Sequence, residues 1–152
     1  KLYTILKERR LIMTVKDLEN NLLIMKIIKK KKEELQQLQN NIEGLSSISL
    51  KEKVQGGKKE NEYITDRLHK IETIKKEILE LEYKKFEVLS MIDRIPNQLE
   101  RIVLTSKYVL GKDFKNTVKG TGESLKEVAA ALKSGKVSFG VACLESIFDE
   151  SI

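Results

Sequence analysis

Two long apolar stripes constrain this chain more than any other feature of its sequence. From Val15 to Leu45, apolar residues fall at Val15, Leu18, Leu22, Met25, Ile28, Leu35, Leu38, Ile42 and Leu45. Spacings of three and four place them on one face of an α-helix, whose start Thr14 or Asp17 can cap. A second stripe runs through Ile64, Leu68, Ile71, Ile74, Ile78, Leu81, Val88, Ile92 and Ile95 and stops at Pro96. A proline disfavours helical geometry in the residue before it, so the helix ends there. Gly44, Ser46, Ser47, Ser49, Gly56 and Gly57 interrupt both periods. Two helices with one apolar stripe each bury them most cheaply against one another, which predicts an antiparallel, coiled-coil-like hairpin over residues 14–95 with a mobile loop at about 44–60. Each side chain buried in such a seam is worth ~1.5–3 kcal/mol before ordering entropy is subtracted. Lys32 and Lys85 fall on the seam; their stems can pack while the ammonium groups reach water, and they are expected to fix register rather than add stability.

After Pro96 the pattern shortens. Asn97 is a good cap for a helix carrying Leu99, Ile102, Val103, Val109 and Leu110, which Gly111 can close. Lys112 to Gly122 reads as a short helical turn and a loop. Ser124 and Glu127 then form a capping box ahead of Leu125, Val128, Ala129 and Leu132. Gly135 is expected to make a turn before a second helix with Val141, Leu144, Ile147 and Phe148. Ala129 and Ala142 would permit close approach, and the whole predicts a helix-turn-helix-like bundle over 97–152. The fold class expected is all-α.

Composition narrows the chemistry. Among 152 residues there are one His, one Cys and no Trp, which excludes an internal disulfide framework and a multi-Cys zinc cluster and removes most catalytic constellations. No enzyme, cofactor, metal site or small-molecule substrate is expected. His69 reads as a surface or seam-edge residue and Cys143 as a packed, reduced thiol. Glu77, Glu80 and Glu82 with Lys75, Lys76, Lys84 and Lys85 read as intrahelical pairs. Gly56-Gly57-Lys58 lacks the spacing of a phosphate-binding loop. The run Leu22 to Ile28 is far shorter than the ~20 residues of a membrane span, and Lys7 to Arg10 would break a secretory signal. A cytoplasmic protein with no membrane partner is expected. Lys7-Glu8-Arg9-Arg10 ahead of Met13 is what a purine-rich ribosome-binding site would encode in frame, so residues 1–13 read as a translated leader or disordered start, with Met13 the natural first residue.

The net charge is +6, and residues 1–60 carry 14 basic against 8 acidic residues. Such a surplus suits a polyanion, because neutralising phosphates releases counterions, although Lys29 to Lys32 also fit the solvated face of a helix. The second helix expected after Gly135 offers Ser138, Glu145 and Ser146 but no Arg, Asn or Gln to read bases. Electrostatic contact from Lys126, Lys133 and Lys136 is what these residues allow.

Three stretches carry a resemblance: KVQGGKKE at 53–60, ITDRLHKIETIKKEILELE at 64–82 and LERIVLTSKYVLGKDF at 99–114. From about Met13 to Phe114 the chain resembles small, largely uncharacterised proteins of phages and prophages of Gram-positive bacteria. These join a coiled-coil-like amino-terminal half to a carboxy-terminal half similar to the promoter-binding region of sigma factors. The resemblance implies a bacterial host cell and DNA-associated transcription control, with Lys107, Lys112 and Lys115 near the phosphate-contacting surface. The sequence departs from that pattern at the Thr-Gly insert near 119–122 and in its donor-poor last helix. The expected function is therefore a sigma-like transcriptional regulator docking on duplex DNA or RNA polymerase, homodimeric through the hairpin, with Lys107, Lys112, Lys115, Lys126, Lys133, Lys136 and Ser138 as the DNA-binding set. The alternative is a coiled-coil adaptor or structural protein that binds no nucleic acid.

Overall fold

The computed structural model describes residues 13–49 and 57–150, and every regular element among them is an α-helix. In chain order these are α1 (Val15–Glu19), α2 (Asn21–Ser49), α3 (Gly57–Asp93), α4 (Gln98–Tyr108), α5 (Phe114–Thr121) and α6 (Leu125–Glu150). The all-α class expected from the periodicity is the one formed. No helix of the described residues is long and apolar enough to cross a membrane.

Residues 25–83 form one compact unit. Within it Leu38, Ile71 and Ile74 are buried together, with Leu35, Ile42 and Ile78 packed against them. Lys31 Nζ lies 2.5 Å from Glu77 Oε2, and Lys32 Nζ lies 2.8 Å from Glu82 Oε1. Early residues of α2 thus meet late residues of α3, and the two segments run antiparallel. Two seam expectations change. Leu68 is exposed, and Lys32 spans to Glu82 at the surface, where such a pair is worth ~0–1 kcal/mol. The helices also extend further than expected: Gly44 to Ser49 and Gly57 to Glu60 are helical. Gly and Ser weaken a helix by up to about 1 kcal/mol per residue, but unlike Pro they remove no backbone donor. What remains of the predicted loop, residues 50–56, lies outside the described residues.

Residues 13–24 and 84–150 belong to the second compact unit, so the predicted boundary at Pro96 is too late and the last turns of α3, with Lys85, group with the carboxy-terminal helices. The reason is burial. Val88, Ile92 and Ile95 share one core with Met13, Leu18, Leu104, Tyr108, Phe139 and Cys143. Met13 is therefore ordered within that core rather than the end of a disordered start; residues 1–12 lie outside the described residues. A second cluster joins Val103, Val128 and Ala131 to Leu99, Phe114, Val118 and Leu132. The first helical stretch is divided at Asn20, where a turn separates α1 from α2. Just beyond it, buried Asn21 donates from Nδ2 to the Tyr108 carbonyl at 2.9 Å.

The largest correction concerns Gly135. It makes no turn, and α6 runs through it without a break. A Cβ built there would stand 3.2 Å from Leu104 Cγ and 3.4 Å from Glu100 Cβ, so the residue is small because α4 crosses α6 at that point. Gly140 and Gly120 are different: a Cβ at 140 meets only Val15 Cγ2 at 3.5 Å, and one at 120 meets nothing within 4 Å. Alanine removes the helix penalty of glycine, about 0.5–1 kcal/mol. Gly120→Ala and Gly140→Ala are therefore expected to stabilise the chain by about that amount, while Gly135→Ala loses the gain to the Leu104 contact. Urea denaturation of the three variants checks this, and equal stabilisation by all three would contradict the close crossing.

Candidate nucleic-acid interface

The helix-turn-helix expected at Gly135 is not formed; α5 and α6 are joined instead by a connection of three residues, Gly122 to Ser124. Asp113 caps α5, its Oδ1 accepting from the Asn116 backbone N–H at 2.8 Å. Gly122 closes α5 with φ of 72°, a left-handed conformation that costs other residues strain. Ser124 Oγ accepts from the Glu127 N–H at 3.2 Å and caps α6, but the reciprocal half of the expected capping box is replaced by a hydrogen bond between the Glu127 and Glu123 side chains. Phe114 and Val118 of α5 and Val128 and Ala131 of α6 meet in one cluster with α4, which fixes the two helices against a common support.

Around this connection Lys112, Lys115, Lys126 and Lys133 are exposed, as their assignment to a phosphate-contacting surface requires. So is Lys119 on α5, which sequence reading passed over because it assigned 119–122 to an insert. Among the described residues, none of these five lysines forms an ion pair. Nearby carboxylates are those of Asp113, Glu123 and Glu127. A hydrogen bond and charge repulsion from Glu123 hold the Glu127 carboxyl above its usual range, which favours partial neutralisation of this acidic pair as pH falls.

The other three expected contact residues are differently placed. Lys107 is half-buried, with Nζ 5.6 Å from the centroid of the Tyr108 ring. Lys136 Nζ sits 3.4 Å from Glu19 Oε1 and 5.7 Å from the centroid of the same ring. Hydrogen bonding to Tyr108 leads the causes that hold its ammonium above the ordinary lysine range, against an opposing effect of burial. Ser138 points inward and donates from Oγ to Glu100 Oε1 at 2.8 Å. Lys136 and Ser138 thus tie α6 to its neighbours. No family model, curated protein or solved structure matches this chain.

The remaining chemistry-bearing side chains are placed elsewhere. His69 is exposed on α3. Cys143 is buried in the main core, and that burial, aided by Asp17, pushes its thiol up to about 11 from 9.0. Its protonated form is thus the stable one in the folded chain, and the stability it confers is lost as pH rises through that interval. Among the described residues no group of three or more His, Cys, Asp or Glu could hold a metal ion. What the arrangement offers is a set of mobile point charges on short-helix scaffolding, suited to phosphate oxygens rather than to base edges.

Proposed function

We propose that the chain is a DNA-associated transcriptional regulator of the phage and prophage kind, whose carboxy-terminal helices dock on duplex phosphates and whose helical arm serves a protein partner such as RNA polymerase. The observation that carries this reading is that Lys112, Lys115, Lys119, Lys126 and Lys133, on or beside α5 and α6, are all exposed and outside the ion pairs of the described residues. The exposed face of α6 offers Lys126, Glu127, Ala129, Ala130 and Lys133, with no Arg, Asn or Gln among them. The reading is of electrostatic binding, with lysine point charges on phosphates and little preference among sequences.

Each phosphate neutralised contributes ~0.9 to the slope of log affinity against log salt. Full engagement of the five lysines gives a slope of about −4 to −5 on a short duplex. Replacing Lys115, Lys119 and Lys126 together with Gln is expected to reduce the slope by about 2–3 and to weaken binding alike on unrelated duplexes. Lys136→Gln, by contrast, leaves the slope unchanged because that ammonium is engaged by Tyr108 and Glu19. Fluorescence anisotropy across a salt series measures all of this. Absence of binding at low salt would favour the adaptor reading, and binding insensitive to the triple substitution would move the contact to the basic arm.

A further inference from the structure

We draw no further inference here: the strongest candidate, the exposed apolar surface patch of Val137, Val141 and Leu144 along the outer face of α6, carries nothing because nothing in the structure shows what covers it.

Discussion

Phe139→Ala is expected to destabilise the chain by about 3–5 kcal/mol. The ring is fully buried and shares its core with Leu18, Val88, Ile92, Ile95, Leu104 and Cys143, residues drawn from α1, α3, the α3–α4 connection, α4 and α6. Truncation removes the transfer energy of the ring and leaves a cavity that helices from four parts of the sequence would have to collapse to fill. The comparison is Val137→Ala, two residues earlier on the exposed face, which should change stability by no more than about 0.5 kcal/mol. Urea denaturation followed by circular dichroism measures both, with the midpoint shifting and the slope retained. Similar losses for the two substitutions would mean that α6 is packed through the other face.

Asn21→Leu is expected to cost about 1–3 kcal/mol, although it replaces a polar residue in a core by an apolar one of similar size. The Asn21 amide donates to the Tyr108 carbonyl at 2.9 Å, near the end of α4 where carbonyls have no partner within their own helix. Without that donor, a buried carbonyl is left unsatisfied. Asn21→Asp should be worse at neutral pH, because a carboxylate would face the carbonyl oxygen. The introduced carboxyl would have its pKa raised in the folded state, so its penalty shrinks as pH falls and a protonated oxygen can donate. Denaturation midpoints at pH 7 and pH 4 test this. A penalty for Asn21→Asp that grows on acidification would contradict the contact.

The parts of the fold legible in the sequence are those set by neighbouring residues. The 3.6-residue periodicity of Ile64 to Ile95 and the caps at Asn97 and Ser124 depend on spacing and local hydrogen bonding, so they could be read directly. Gly135 could not. A glycine serves a turn by its backbone freedom and a helix crossing by its lack of Cβ, and only the position of Leu104 distinguishes the two. That one ambiguity propagated: with a break assumed at 135 the phase of the following residues was free, whereas in an unbroken helix Ser138 turns toward Glu100 and Lys136 toward Glu19 and Tyr108. Lys112, Lys115, Lys126 and Lys133 lie before Gly135 and are exposed. The bond between Asn21 and Tyr108, 87 residues apart, has no local signature, which is why the division of the first helix at Asn20 was invisible.

The continuity of α6 also makes it a ruler. From the capped end at Ser124 to the turn that holds Phe139 in the main core it measures about 22 Å. That distance is set by residue count alone, with no hinge between the two points to vary it.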